Sequence, residues 1–141
     1  MAEYTANARQ VVLANQNILL TDESVCGNCS ILHREGSGLV TLRGLSKCGC
    51  RARFKVSFGG NIAIPTGGAV GAISIAIAVN GEGIAPTTMT VTPAAVEQFF
   101  NVANVVFIDV PCGCCSQVSV RNVSTQSIAV QNANLTVERV A

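Results

Sequence analysis

Residues 72–81 have the sequence AISIAIAVNG, and this stretch decides the fold. Large β-branched side chains alternate with small ones along it, which is the pattern of a β-strand. The large set is Ile73, Ile75, Ile77 and Val79. The small set is Ala72, Ser74, Ala76 and Ala78. The large face needs a core, and the small face has no long polar side chains to hold in water. We therefore predict two stacked sheets, with the small face as an interface to a partner subunit.

The composition favours one domain that assembles with copies of itself. The chain has 141 residues, which suits a single domain. Hydrophobic residues make up 49% and charged residues 12%, which is little charge for a monomer's surface. A net charge of +1 and the lack of tryptophan favour neither nucleic acid nor a membrane as a partner. We therefore expect a homo-oligomer.

The first ten residues, MAEYTANARQ, do not have the pattern of a secretory signal. They lack a charged segment followed by an apolar core. No apolar run approaches the roughly 18 residues of a membrane span. We therefore expect synthesis in the cytoplasm without a signal peptide, and a final location on a virion or on a cell or spore surface.

The remaining pattern predicts an all-β chain. Phe54, Val56 and Phe58 alternate with polar residues, and turn signals recur roughly every 8–12 residues, as in an antiparallel sandwich or barrel. Residues 1–9 are small and polar, so we predict an N-terminal arm followed by one domain over residues 10–141. Residues 92–100 fit either a helical turn or a strand. Asn132 marks a predicted β-bulge.

From residue 53 to 141, the order of these features resembles a known family. It is similar to the trimeric jelly-roll domains of the tumour necrosis factor and complement globular-head type, including the bacterial version in collagen-like spore-surface proteins. The matching segments are RFKVSF (53–58), ISIAIAVNG (73–81), VSVRN (118–122), STQ (124–126) and IAVQNANLTVERV (128–140). Segments 31–45 and 92–102 are also similar to small uncharacterised proteins of Firmicutes and their phages.

This resemblance implies a TNF-like antiparallel jelly roll of about ten strands. It also implies a homotrimer packed along a threefold axis and a role at a particle or cell surface. The sequence differs from those relatives in lacking a collagen-like Gly-X-Y stalk and in having more cysteines.

The cysteines are the sharpest chemical signal. Seven of them fall in three clusters, which are Cys26 and Cys29, Cys48 and Cys50, and Cys112, Cys114 and Cys115. Because adjacent antiparallel strands alternate in direction, counting the connections places all three clusters at one end of the sandwich. Disulfides are preferred over a structural zinc ion, since Cys-x-Cys is a tighter spacing than the usual zinc-binding pair. Free buried thiols are the third alternative, and no other cofactor is predicted.

No arrangement predicts catalysis. His33 is the only histidine, and no spacing pairs it with a cysteine nucleophile. The eight carboxylates are scattered. The Gly59-Gly60 and Gly67-Gly68 pairs lack the lysine and helix of a phosphate-binding loop. We therefore expect neither a catalytic residue nor an enzyme.

A local basic cluster has two interpretations. It comprises Arg43, Lys47, Arg51, Arg53 and Lys55. The first interpretation is a solvated or intersubunit-paired face. The second is docking to an acidic surface such as a capsid.

Together these features predict a structural, non-enzymatic trimeric surface module, in the first place a phage virion protein such as a head fibre or a capsid decoration. One alternative is a spore-surface or filament subunit cross-linked by disulfides. Another is a receptor- or glycan-binding tip domain. Its binding loops would be residues 65–71 and 93–104, at the end opposite the cysteines.

Overall fold

The computed structural model describes residues 1–25, 30–34, 36–44, 51–111 and 113–140. Within these residues the backbone forms twelve strands and one short 3-10 helix, Ala85–Thr87. In chain order the strands are β1 (Ala2–Ala6), β2 (Gln10–Val12), β3 (Asp22–Val25), β4 (Ile31–His33), β5 (Val40–Arg43), β6 (Arg51–Ala63), β7 (Ile73–Val79), β8 (Glu82–Gly83), β9 (Met89–Val91), β10 (Phe100–Pro111), β11 (Cys115–Asn122) and β12 (Ile128–Arg139). In this part of the chain, no helix has the length and apolar character needed to cross a bilayer.

The strands form two six-stranded antiparallel sheets. The first sheet has the order β10-β6-β12-β1-β3, and β2 pairs with β12 beside β1. The second has the order β4-β5-β11-β7, and both β8 and β9 pair with the far side of β7. This is the predicted jelly-roll sandwich.

One hydrophobic core fills the space between the sheets, and period-two alternation on both sheets builds it. On β6, Phe54 and Val56 are fully buried while Arg53 and Lys55 between and beside them are exposed. On β7 the isoleucines predicted to face the core are also fully buried. Burying each such side chain contributes about 1.5–3 kcal/mol.

The N-terminal segment is part of this core, which corrects the predicted arm over residues 1–9. β1 pairs with β12 on one side and β3 on the other. Ala2, Tyr4 and Ala6 are buried, and they alternate with Glu3 and Thr5. The period of two was present in the sequence, but two of its three inward residues are alanines, so the apolar signal was weak.

The segment after β2 crosses from the first sheet to the second. The Ile18 amide donates to the Val120 carbonyl at 2.8 Å, and the Asn122 amide donates to the Gln16 carbonyl at 2.9 Å. We call residues 13–19 the crossing segment. Asn15 lies in a turn within this segment, with φ of 63°.

Two other local predictions have clear outcomes. The register of β12 against β6 shifts between Gln131 and Asn134, and Asn132 has φ of 56°, which confirms the bulge. Residues 92–99 form neither a helix nor a strand, and β10 begins at Phe100.

Candidate functional site

Strand β6 connects the two ends of the sandwich where the candidate sites lie. It runs from Arg51 to Ala63, which corresponds to roughly 40 Å of extended chain. We call the Arg51 end the cysteine end, because residues next to the cysteine clusters meet there. We call the other end the pocket end, because a cavity opens beside residues 65–69.

The cavity at the pocket end has a volume of about 730 Å³ and opens to solvent. Segments that are distant in the sequence form its walls, including Arg9, Val11, Thr66, Glu97 and Ser127. The two loops predicted for a binding tip, residues 65–71 and 93–104, both contribute to this end of the molecule.

An arginine–glutamate pair forms the charged part of this cavity. Arg9 Nη2 donates to Glu97 Oε1, and Thr66 Oγ1 donates to the same oxygen at 3.4 Å. Backbone geometry fixes Glu97, whose amide donates to the Ile64 carbonyl at 2.7 Å and whose φ is 58°. The side chains of Arg9 and Glu97 remain 40% and 35% exposed, so a ligand could reach both.

Hydrogen bonds also fix the opposite wall. The Gln126 side chain donates to the Ala69 carbonyl at 2.8 Å and accepts from the Ala69 amide at 3.0 Å. The Gly68 amide closes a turn on the Pro65 carbonyl at 2.9 Å. Gly67 supplies the left-handed residue of this turn, with φ of 94°. The cavity is therefore shaped before any ligand arrives.

The loops of this cavity could be predicted from the sequence, but its charged residues could not. Arg9 and Glu97 are 88 positions apart, and only the long-range folding of the chain brings them together. Gln126 belongs to the STQ segment that matches the family, but nothing local indicated that its amide would hold Ala69. No short-range signal could have found this group.

At the cysteine end, residues that flank the three clusters contact one another. The Arg43 amide donates to the Ser30 carbonyl at 2.8 Å. The Gly44 amide donates to the Cys114 carbonyl at 2.9 Å, and the Gly113 amide donates to the Gly44 carbonyl at 3.1 Å. These contacts lie at the end opposite the cavity. That all three cysteine clusters share this end stays a prediction.

The cysteines themselves are only partly described. Cys114 and Cys115 have exposed, free thiols. Five others lie outside the described residues: Cys26, Cys29, Cys48, Cys50 and Cys112. Among the residues with described positions, no three histidine, cysteine or carboxylate side chains gather as metal ligands would. Disulfides and zinc both stay predictions for this end.

Part of the basic cluster is paired within the chain. Arg53 forms two hydrogen bonds to Asp109, at 2.8 and 3.2 Å, and Arg51 forms one at 3.1 Å. The hydrogen bond from Arg53 lowers the pKa of Asp109 below its usual value, and the same bond raises the pKa of Arg53. Lys55 is exposed on the same face, and Lys47 lies outside the described residues.

The small face of β7 is largely covered by the chain itself. Ala76 is 2% exposed and Ala78 is fully buried. Arg121 lies opposite Ala76 on β11, and its guanidinium donates to the Gly81 carbonyl, so its side chain passes along this face. The predicted trimer interface is therefore wrong for Ala76 and Ala78, which have almost no surface to offer a partner.

The other two residues of that predicted interface remain accessible. Ala72 is exposed and Ser74 is half-buried. The Ser74 hydroxyl shares a hydrogen bond with the Thr90 hydroxyl at 2.8 Å. For Ala72 and Ser74, contact with another subunit stays a prediction.

Among the exposed apolar side chains of the described residues, two groups bear on assembly, and we call each a patch. The β10 patch consists of Val105 and Phe107, which are 44% and 58% exposed on the outer face of the first sheet. The crossing-segment patch consists of Leu13 and Leu19, which are 61% and 49% exposed. β10 is one edge of the first sheet, whereas β2, which leads into the crossing segment, lies on the far side of β12. The patches are therefore on opposite flanks.

Among solved structures, the chain is similar to the globular domain of zebrafish complement 1qA protein. The TM-score is 0.54 with 11% sequence identity, over 96% of this chain and 94% of that one. A β-(1,4)-mannanase with a family 35 carbohydrate-binding module from Podospora anserina has a TM-score of 0.37 and 15% identity, over 99% of this chain and 28% of that one. A family 35 carbohydrate-binding module from an environmental isolate has a TM-score of 0.36 and 10% identity, over 100% and 98%.

The chain matches no protein-family model and no curated protein. The likeness to the complement domain covers nearly the whole chain, and it agrees with the antiparallel two-sheet topology described above. At this level of identity it shows the fold alone, which is an antiparallel jelly-roll sandwich like that of the complement domain.

Proposed function

We propose that this chain is a non-enzymatic structural module that assembles as a homotrimer and covers the surface of a particle, with a phage head fibre or capsid decoration as its setting. The observation that carries the proposal is the pair of apolar patches on opposite flanks of one sandwich. Each is too exposed to be part of the chain's own core.

Two different patches favour a ring. In a head-to-tail interface, one patch of each subunit docks on the other patch of the next, and the ring closes when the rotation allows it. A twofold dimer would instead pair one patch with itself and leave the second exposed. We take the number of subunits in the ring, three, from the trimeric jelly-roll family that the sequence resembles.

Charge supports the same docking. The outer face beside the β10 patch has a small excess of positive charge. Phe107 pairs directly with Lys55, which has Glu138 on its other side, and Arg51 and Arg53 share the single carboxylate of Asp109. On the opposite flank, the edge strand β3 carries exposed Asp22 and Glu23. Docking the β10 flank of one subunit on the acidic β3 flank of the next favours the head-to-tail orientation over a twofold dimer, which would bring like flanks together.

The proposed location on a phage particle is supported by the sequence. Segments 31–45 and 92–102 are similar to small proteins of Firmicutes and their phages. A low charged fraction of 12% also suits a protein whose surface is partly covered in an assembly.

The experiment is light scattering of the purified chain and two variants. We expect a particle of three times the 14.6 kDa chain mass. Phe107→Glu should dissociate it, because the new carboxylate would be buried in the interface. The control is Val70→Glu, at a valine with the same 58% exposure but at the pocket end, and it should remain trimeric. Circular dichroism establishes that both variants fold.

A monomeric wild type at about 50 μM, well above the Kd of a stable assembly, would overturn the proposal. Equal behaviour of the two variants would overturn the assignment of the β10 patch.

The exposed thiols of Cys114 and Cys115 favour a second candidate, a filament whose subunits are joined by disulfides. In that case, boiling detergent without reductant would preserve a ladder of covalent oligomers, and reductant would remove it. The trimer proposal expects no ladder beyond three chains.

A further inference from the structure

We propose that the cavity at the pocket end is a binding site for neutral saccharides, with Arg9 and Glu97 as the residues that hold the sugar hydroxyls. This goes beyond the trimeric assembly, because the cavity and its charged pair belong to a single chain.

The charge of the site favours a neutral ligand rich in hydroxyl groups. Arg9 and Glu97 neutralise each other, so an anionic ligand would meet the carboxylate and a cationic one the guanidinium. A sugar hydroxyl both donates and accepts hydrogen bonds. Neighbouring hydroxyls can therefore donate to Glu97 and accept from Arg9 at once, through charge-assisted hydrogen bonds.

The pair has hydrogen-bonding capacity to spare. Arg9 has five N–H donors, of which one is used by Glu97. Both described contacts of the Glu97 side chain go to Oε1, from Arg9 and Thr66, so Oε2 can accept from a ligand. Ser127, on the same wall, adds a hydroxyl.

The rest of the cavity suits a sugar ring. Val11 is half exposed in the wall and offers an apolar surface for the C–H face of a ring. The volume of about 730 Å³ lies within the range of ligand-binding cavities. None of the described lining residues is aromatic, so we expect weak affinity, with Kd roughly 1 mM for a single sugar.

The walls are already ordered, which lowers the cost of binding. Gln126 holds Ala69 by two hydrogen bonds, and the turn closed by Gly68 sets the rim. A ligand would therefore lose little affinity to the ordering of loops. Trimerisation would place three such weak sites on one particle, and their combined binding would be stronger.

The test is NMR titration of the ¹⁵N-labelled chain with methyl glycosides of glucose, galactose, mannose and N-acetylglucosamine. N-acetylneuraminic acid and glucosamine serve as the anionic and cationic probes. We expect at least one neutral glycoside to shift the amide resonances of Thr66, Gly67 and Ser127 in a saturable way. No saturable shift with any neutral glycoside, or stronger binding of a charged probe, would overturn the proposal.

Matched variants test whether the glycoside binds at the Arg9–Glu97 site or at the protein surface in general. Glu97→Gln should weaken binding of the glycoside by about tenfold or more, since it removes a charged hydrogen-bond acceptor. Asp109→Asn removes the carboxylate of the other arginine pair, at the cysteine end, and should bind as the wild type does. Equal affinity of the wild type and Glu97→Gln would overturn the assigned residues, and each variant's spectrum shows whether it is folded.

Discussion

Two exposed arginine–carboxylate pairs lie towards opposite ends of the molecule, and they differ in their surroundings. Arg53 and Asp109 lie on the flat outer face of the first sheet, near the cysteine end. Arg9 and Glu97 lie in the wall of a cavity at the pocket end. The Arg9–Glu97 pair is suited to hold a ligand because the cavity would surround that ligand on several sides. The Arg53–Asp109 pair has no such surroundings.

The two pairs also arise in different ways. Arg53 and Asp109 are directly opposite each other on adjacent strands, so strand pairing alone brings them together. Arg9 and Glu97 lie on connecting segments outside the strands, and the turns of the pocket end bring them together. Exposed pairs of either kind contribute little to stability. We therefore expect the buried core, rather than these ion pairs, to determine the stability of the fold.

The largest effect should come from the core between the ends. Phe54 is fully buried on β6, and Phe54→Ala should lower the free energy of unfolding by about 3–5 kcal/mol through lost burial and a cavity. Urea denaturation measures this. The control, Val70→Ala at an exposed position, should change it by less than about 0.5 kcal/mol. Comparable losses from both variants would show that the core is not the main source of stability.

The next effect should come from the buried amide beneath the pocket end. Asn122 is fully buried and donates to the carbonyls of Val12 and Gln126 at 3.0 and 2.9 Å. Asn122→Ala removes both of these hydrogen bonds and should cost about 2 kcal/mol of unfolding free energy. Asn101→Ala removes an exposed amide and should have little effect. If the two variants denature at the same urea concentration, the buried network does not support this end.

A smaller effect should come from the turn on the cavity rim. Gly67 has φ of 94°, which a residue with a Cβ adopts at a cost, so Gly67→Ala should lower the free energy of unfolding by about 1 kcal/mol. No atom would clash with the added Cβ, so backbone strain is the only cause. Gly71→Ala also has open space around its Cβ and serves as the control. Thermal unfolding that fails to distinguish the two would contradict the turn geometry.

The smallest effect concerns the ion pair of Arg53 and Asp109 on the outer face of the first sheet. The hydrogen bond from Arg53 lowers the pKa of Asp109, so the pair's contribution to stability is complete above the unfolded-state pKa of aspartate. It is lost as the pH falls through the lower folded-state pKa. Carboxyl NMR titration should show this low midpoint, and Arg53→Gln should raise it towards the usual value. An unchanged midpoint in Arg53→Gln would contradict the assigned cause.

Much of the fold could be predicted from the sequence, because burial on one face of a strand leaves a period of two. The alternation at Phe54, Val56 and Phe58 and the bulge at Asn132 are both visible without a structure. The N-terminal strand was missed because alanine is ambiguous. Ala2 and Ala6 are buried in the core, but alanine is also common at exposed positions.

The surfaces could be predicted less well. The small residues of β7 indicated that another surface packs closely against them, but only the structure shows that Ala76 and Ala78 are buried within the same chain. The pairing of Arg9 with Glu97 depends on where distant turns meet. Patterns along a strand report which side is buried, and they do not report what covers it.

Native mass spectrometry of the full chain, with and without reductant, tests the central claim most directly. We expect a trimer of 14.6 kDa subunits in both conditions, because the proposed interface depends on the Phe107 and Leu13 flanks rather than on the cysteines. The same spectra report bound zinc and the mass lost on forming disulfides. A monomer in both conditions, or an oligomer that reductant dissolves, would contradict the account.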